Sequence, residues 1–270
     1  MAQIGESVSQ CKENTMPLEM QAVPCLSDNY AYLVHDPETG RTAVVDVPEV
    51  APVQAALAER GWKLTDILVT HHHDDHIQGV DALRAATGAR VWGAAADAHR
   101  LPALDHSLCE GDSVTLGNAR ATVIDVPGHT IGHIAFHFPD SRLAFTADSL
   151  MALGCGRLFE GTADQMWDSL SKFMALPDDT LICSGHDYSK GNAAFALSVD
   201  PDNPDLHARI AQMDEDRAAD RPMAVVPLGV EKATNPFLRA GLDYLKNRHG
   251  MPGEEDRLVF ARLRGLKDTF

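Results

Sequence analysis

The stretch Thr70-His71-His72-His73-Asp74-Asp75-His76-Ile77-Gln78-Gly79 sets four imidazoles and two carboxylates at consecutive positions, 71–76. Crowded this closely, such side chains serve metal binding, because a solvated turn rarely spends four histidines and a purification tag would sit at a terminus. The apolar run Asp66-Ile67-Leu68-Val69-Thr70 before it suits a buried strand, and residues 80–86, closed by Gly88, have a helical pattern. The cluster therefore occupies a strand-to-helix loop. Three more apolar runs end in metal-binding residue types: 121–126 before Pro127-Gly128-His129, 142–146 before Asp148, and 180–183 before Ser184-Gly185-His186. Where helices cover a sheet, ligands far apart in sequence converge in the crevice outside the strand ends. The four endings predict one site assembled from four loops.

His71 and His73 lie two apart, so in an extended segment they project to one side and can share an ion, as neutral imidazoles suited to zinc or iron. Asp75 and His76 follow where the chain must turn and can serve a second ion. His129 and His186, each on a glycine-preceded loop, offer a third nitrogen to each site, and Asp148 offers a carboxylate able to bridge them. On the alternation argument His72 and Asp74 point away and are read as spacers. The run Gly128-His129-Thr130-Ile131-Gly132-His133 offers either histidine, and His133 is assigned a supporting or packing role. His35, His99, His106, His207 and His249 fit no pattern and are read as surface or loop residues. Two nitrogen-rich sites sharing a carboxylate keep positions open for water, which marks a catalytic site and makes hydrolysis the natural chemistry.

The chain has 270 residues, 44% of them hydrophobic, ample for a core. A formal charge of -16 and a pI near 5.1 argue against nucleic acid and anionic membrane as partners, so an anionic substrate needs a local basic pocket. Cys11, Cys25, Cys109, Cys155 and Cys183 are odd in number and scattered, with no CxxC pair, which suggests neither a disulfide framework nor a thiolate zinc site. The leader over 1–20 has no apolar signal core, and no later window approaches a membrane span. A soluble, cytoplasmic monomer is expected.

Upstream of the cluster, Met20-Gln21-Ala22-Val23-Pro24, Tyr30-Ala31-Tyr32-Leu33-Val34 and Thr42-Ala43-Val44-Val45-Asp46 read as antiparallel strands, followed by a helix over 50–60 ended by Gly61. Ala89-Arg90-Val91-Trp92-Gly93 reads as a strand, 94–100 as a short helix, and 113–120 as the start of a second run of hairpin-like strands. Beyond Asp187, the segments 190–199, 204–217, 233–246 and 254–267 read as helices, with no strand signal of comparable strength. A catalytic domain over 1–188 and a helical domain over 189–270 are expected to pack together.

The pattern HxHxDH, here His71, His73, Asp75 and His76, followed by Pro127-Gly128-His129-Thr130, Asp148 and Gly185-His186, resembles the metallo-β-lactamase superfamily. The resemblance implies an α/β fold, an αββα sandwich of two mixed sheets with helices outside and the metals at one edge. A finer resemblance, to glyoxalase II (the hydroxyacylglutathione hydrolases), is carried by Leu26-Ser27-Asp28-Asn29-Tyr30, Phe145-Thr146-Ala147-Asp148-Ser149-Leu150, Gly154-Cys155-Gly156-Arg157-Leu158-Phe159-Glu160-Gly161-Thr162, Gly185-His186-Asp187-Tyr188, Thr234-Asn235-Pro236-Phe237-Leu238-Arg239 and Leu266-Lys267-Asp268-Thr269-Phe270. The metal motif alone is shared by lactamases, lactonases, nucleases and dioxygenases. The finer likeness implies that His71, His73 and His129 hold one metal and Asp75, His76 and His186 the other, with Asp148 bridging. It also sets Arg157, Tyr188, Arg264 and Lys267 against glutathione, together with Phe159, which stands where many relatives have a tyrosine. Asp187 replaces the family's usual glutamate. Cys155 has no base implied beside it and is read as structural.

The activity so implied is metal-dependent hydrolysis of S-(2-hydroxyacyl)glutathione, lactoylglutathione above all, to glutathione and D-lactate, as in methylglyoxal detoxification. It would use two divalent transition metal ions, zinc or else iron or manganese, with Asp75 both binding metal and orienting the attacking water. A thiol with a pKa of about 8.5 leaves readily, so no dedicated general acid is required. The alternatives are a glutathione persulfide dioxygenase with a single iron, which lacks a full second ligand set, and a non-enzymatic metal-binding relative, which would have an eroded site. None of the seven ligand positions is eroded. A nuclease is disfavoured by the charge.

Overall fold

The computed structural model describes residues 18–219 and 221–270; Cys11 and most of the polar leader lie outside them. Strands β1 (Glu19–Cys25), β2 (Asn29–Asp36) and β3 (Arg41–Val45) form an antiparallel meander. Helix α1 (Val50–Arg60) leads to β4 (Leu64–Leu68), and the one-turn α2 (Asp74–Ile77) and α3 (Val80–Thr87) lead to β5 (Arg90–Ala94) and β6 (His106–Leu108), all parallel to β3. The second sheet begins with β7 (Ser113–Leu116), β8 (Ala119–Asp125), β9 (Ile134–Phe138) and β10 (Leu143–Ala147). A hairpin, β11 (Leu150–Met151) with β12 (Gly154–Cys155), and helix α4 (Ala163–Met174) then precede β13 (Leu181–Ser184), which lies parallel to β10. Helices α5 (Ser189–Val199) and α6 (Pro204–Ala218), strand β14 (Val225–Pro227), and helices α7 (Leu228–Thr234), α8 (Asp243–Arg248) and α9 (Asp256–Asp268) complete the chain. Among the described residues the two sheets run β1-β2-β3-β4-β5-β6 and β14-β13-β10-β9-β8-β7.

Alternation along the strands builds the layers. In β2, Tyr32 and Val34 enter the apolar layer between the sheets, while Ala31 and Leu33 pack on Val53 and Leu57 of α1 and Leu83 of α3. In β10, Leu143 and Phe145 face the first sheet, and Ala144 faces the far side, where Phe173 of α4 and Phe260 of α9 cover it. Three apolar layers thus separate helices, sheet, sheet and helices, the αββα sandwich. A strand buried on both faces must be apolar on both, which is why 66–70 and 142–146 read as continuous runs.

Several local expectations change. The helix expected over 94–100 is one 3-10 turn, Ala95–Asp97, and residues 98–100 continue only as turns. The helix expected over 233–246 is broken: Asn235, preceding Pro236, is extended at φ -78 and ψ 116, as the proline ring requires of its neighbour, and α8 starts afresh at Asp243. The C-terminal region is not purely helical either, since β14 pairs antiparallel with β13; it is a three-residue edge strand ending in proline, too short to give a sequence signal. Strand β9 and helix α4 add to the sequence reading. Helix α4 starts at a reciprocal capping box, Thr162 with Gln165.

The turn of the β11–β12 hairpin is tied to the C-terminal helices through a buried ion pair. Glu231 of α7, fully buried, accepts from the Leu153 N–H at 3.0 Å and from Asn235 Nδ2 at 3.0 Å, and pairs with the buried Arg209 of α6. Replacing Glu231 by Ala strands the Arg209 charge in the interior, and denaturant unfolding should show a loss of about 3–5 kcal/mol. A loss below about 1 kcal/mol, the level of an exposed pair, would contradict that account.

Candidate metal centre

Six turns and loops at one end of the sandwich supply the site. His71 and His73 follow β4, Asp75 and His76 lie on α2, His129 follows β8, Asp148 follows β10 and His186 follows β13. To these the structure adds Asp46, at the end of β3, and the Asp28-Asn29 turn before β2. The loop at 185–187 is stitched to the first sheet by Tyr30 N–H on the Gly185 carbonyl at 2.8 Å and Asp187 N–H on the Asp28 carbonyl at 2.8 Å. Gly185 is required there: a Cβ would stand 2.4 Å from Asp148 Oδ1 and 2.7 Å from His76 Cε1.

Hydrogen bonds fix which nitrogen each imidazole presents. His129 Nδ1 donates to the Arg157 carbonyl at 2.8 Å, His186 Nδ1 to Asp28 Oδ1 at 2.7 Å and His76 Nδ1 to Asp46 Oδ2 at 2.8 Å, so Nε2 of all three faces the centre. Thr70 Oγ1 donates to Asp46 Oδ2 at 2.8 Å and therefore accepts from His71 Nδ1 at 3.0 Å. His71 Nε2 is left buried with no hydrogen-bond partner among the described residues. His73 turns Nδ1 inward, 3.0 Å from His129 Nε2. These outer partners orient imidazoles for metal binding and fix their tautomers.

Three groups of atoms are each gathered within 4.8 Å among the described residues: His71 with His73 and His129, Asp75 with His76 and His186, and Asp46 with His71 and His76, and the first two carry the expected ligands. Asp148 lies between them: Oδ1 is 3.4 Å from His76 Nε2, and Oδ2 is 3.4 Å from His129 Nε2 and 3.5 Å from His186 Nε2. His186 Nε2 is 3.3 Å from Asp75 Oδ2 and 3.3 Å from His76 Nε2. The edge of a tetrahedron built on metal–nitrogen bonds of about 2.0–2.1 Å is about 3.3 Å. The separations around His186 and Asp148 lie close to that edge, and His71 adds an orphaned buried nitrogen.

Electrostatics point the same way. Burial, with His76 and His133 adjacent, pushes His71 well below the ordinary imidazole range and keeps it neutral; burial lowers His73 and His129 as well. The second group behaves oppositely. Burial opposes charge on His186 and His76, yet Asp148 with Asp75 raises His186 to about 10, and Asp148 with Asp46 raises His76 well above its usual value. The hydrogen bond to His186 holds Asp75 far below the carboxylate range, and Asp148, although buried, is held down by His76 and His186. The carboxylates demand positive charge here, which protons supply in the absence of an ion.

A cavity of about 880 Å³ is lined by His73, His129, Asp148 and His186 together with Arg157, Lys190, Arg264 and Lys267. Phe159, 61% exposed, meets His73 and His129 edge-on, and Tyr188 stacks on His186 at 4.7 Å. Arg264 is buried at the cavity wall and already donates to the Cys155 carbonyl at 3.1 Å and to Asp268 at 2.8 Å. Lys267 lies over the Phe195 and Phe270 rings, and burial lowers its pKa. Burial raises the Cys155 thiol, which accords with a structural role. His133 stacks on His71 at 4.6 Å, and its Nδ1 donates to the Ile134 carbonyl at 3.1 Å, consistent with support. His72 is no idle spacer: it faces Asp97 and Glu160. Asp74 is exposed and lines the cavity.

The sequence reading missed Asp46, Asp28, Asn29 and Lys190. Asp46 had a usable signal, a carboxylate ending an apolar strand, as at the ligand positions themselves. Asn29 donates to Asp75 Oδ2 at 3.0 Å, a contact between distant loops with no local signature.

The profile of the metallo-β-lactamase superfamily matches residues 27–186, and that of the hydroxyacylglutathione hydrolase C-terminus matches residues 187–270. A hydroxyacylglutathione hydrolase of Cereibacter sphaeroides is 63% identical over 94% of this chain and all of its own length, and one of Ruegeria pomeroyi is 59% identical over the same shares. Among solved structures, ETHE1 from Myxococcus xanthus is 26% identical, with a TM-score of 0.64 over 93% of this chain and 90% of its own. No helix among the described residues is long and apolar enough to cross a membrane. With the fold, the histidine and carboxylate cluster and both profiles in agreement, the chain belongs to the metallo-β-lactamase superfamily and, within it, to the hydroxyacylglutathione hydrolases.

Proposed function

We propose that the chain hydrolyses S-(2-hydroxyacyl)glutathione thioesters, lactoylglutathione among them, to glutathione and the 2-hydroxy acid. Residues 1–188 would form the catalytic part, with 189–270 completing the substrate pocket. One observation carries the reading: the same cavity is lined by His73, His129, Asp148 and His186 and by Arg157, Lys190, Arg264 and Lys267. In a protein of net charge -16, a cationic wall suits the two carboxylates of glutathione.

We assign His71, His73 and His129 to one divalent ion and Asp75, His76 and His186 to a second, with Asp148 shared. Zinc, iron and manganese all accept such donors. Bound ions of this kind lower the pKa of a water to about 7 and make a nucleophile available at neutral pH. The chain's own residues do the rest. Arg157 and Lys267 hold the glutathione carboxylates, and Phe159 and Tyr188 flank the reacting end. Asp75, braced by Asn29, orients the attacking water. Glutathione leaves as a thiolate of pKa about 8.5, so no acid is needed to protonate it. A single-iron persulfide dioxygenase would leave the Asp75, His76 and His186 group without a use.

Purified protein should contain about two transition metal ions per chain and release free thiol from lactoylglutathione. A metal-replete preparation that releases none, or that takes up oxygen with a glutathione persulfide instead, sinks the reading. Asp46→Asn leaves one acceptor oxygen where Thr70 and His76 use two and sets an NH2 donor in place of the other, and metal titration should show affinity about 10–100-fold weaker; unchanged affinity would contradict the orienting role.

Metal uptake needs neutral imidazoles, yet in the free protein the bonds to Asp148 and Asp75 outweigh burial and hold His186 at about 10. Uptake at pH 7 should therefore expel protons, and affinity should fall as the pH is lowered. Calorimetry in buffers of different ionisation heat reads the protons released, and none released would count against ligation by His186.

A further inference from the structure

Beside the ligands lies a second cluster, in which His72 Nδ1 is 3.2 Å from Asp97 Oδ2 and its Nε2 is 3.5 Å from Glu160 Oε1. Arg100 spans both carboxylates: Nε and Nη2 donate to Asp97 Oδ1 at 3.2 and 2.6 Å, while Nη1 and Nη2 donate to the two oxygens of Glu160. Glu160 Oε2 also accepts the Ile131 N–H at 2.8 Å. Asp97 is seated on Gly132, where a Cβ would stand 2.2 Å from its carboxyl carbon. Four separate loops meet here.

We propose that Arg100, through Asp97 and Glu160, is a positioning residue for the reaction: it clamps the loop bearing His71 and His73 to the loops bearing His129, Arg157 and Phe159. The inference rests on the hydrolase reading above. His72 sits between the two ligands His71 and His73, so fixing its ring fixes the backbone that aims them. On the far side, Glu160 adjoins Phe159, whose N–H donates to the His129 carbonyl at 3.3 Å, and the Gly161 N–H donates to the Gly128 carbonyl at 3.0 Å. The Arg157 carbonyl meanwhile orients His129. Segments 128–131 and 157–161 thus form one cross-linked unit, and Arg100 joins it to the histidine loop. A guanidinium can do this because its planar fork bridges two carboxylates that would otherwise repel each other; an ammonium cannot match that geometry. None of the clamp residues touches the centre where the ligand atoms converge. Their effect passes through geometry alone, and displacements of about 1 Å at a reacting centre can cost about 100-fold in rate.

The test compares Arg100→Met, Arg100→Lys and Glu160→Gln in the full chain. Cobalt(II) titration followed by visible absorption reports ligand geometry and affinity, thermal melting reports folding, and kcat and KM are measured on lactoylglutathione. We expect folded Arg100→Met protein with an altered cobalt spectrum, cobalt affinity at least about tenfold weaker and kcat at least about tenfold lower, with Arg100→Lys restoring only part. The proposal is overturned if spectrum, affinity and kcat all stay within about twofold of the parent while only the melting temperature moves, for that is a structural role alone. Should Arg100→Met fail to fold, Glu160→Gln, which keeps the shape and the Arg100–Asp97 pair, decides by the same criteria. Failure of the hydrolase reading looks different: the parent itself takes up cobalt but releases no thiol, and cobalt spectrum and affinity then decide the clamp.

Discussion

A single buried carboxylate, Asp46, holds the two halves of the metal centre in register. It accepts from the Thr70 backbone N–H at 2.9 Å and from the Thr70 hydroxyl at 2.8 Å, and through that hydroxyl it sets the tautomer of His71; its second contact, to His76 Nδ1 at 2.8 Å, sets the other group. One ligand of each group therefore answers to the same side chain. Asp46 stands in the left-handed region at φ 55, and its own N–H is held by the Leu68 carbonyl at 3.0 Å. A residue held in that region costs of order 1 kcal/mol, and the surrounding bonds over-determine it. The backbone turns sharply out of β3 so that its carboxylate can reach under the neighbouring strand end.

The fold makes such a hub possible because polar groups can gather only where strands stop. Between the sheets the inward side chains are mainly apolar, and a carboxylate buried away from the strand ends needs a dedicated partner, as Glu231 has in Arg209. At the strand ends, backbone N–H groups and loop side chains are available as partners. Asp46, Asp148 and five imidazoles share this rim, where the two buried carboxylates prepare the site for a cation.

Much of this was legible from residue order. Ligand types at the ends of apolar runs pointed to one convergent site, and the period of two separated His71 and His73 from His72. The same rule turned His72 away from the cluster but could not name what it meets there, because Asp97 and Glu160 lie 25 and 88 positions onward in the chain. Asp28 and Asn29 stood out as part of the run 26–30, but their work, bracing His186 and Asp75 from a distant turn, has no local pattern that encodes it. Helix α4 had an explicit start signal in Thr162 and Gln165, whereas β14 owes its existence to the free edge of β13 and had no signal of its own.

The C-terminal helices are part of the site's construction as well as its wall. Phe195, Phe237 and Phe260 join the same apolar layer as Ala144 and Ile182 of the second sheet, so the helices are seated by the sheet that carries Asp148 and His186. Through Asn235, whose side chain donates to the Met151 carbonyl at 3.3 Å and to the Gly154 carbonyl at 3.0 Å, they also grip the β11–β12 hairpin. That hairpin leads straight into Cys155, Gly156 and Arg157, whose carbonyl orients His129. A change in the seating of the helices is therefore passed along a short covalent path to one imidazole of the centre. The C-terminal helices and the loop that orients His129 are thus joined through one short stretch of chain.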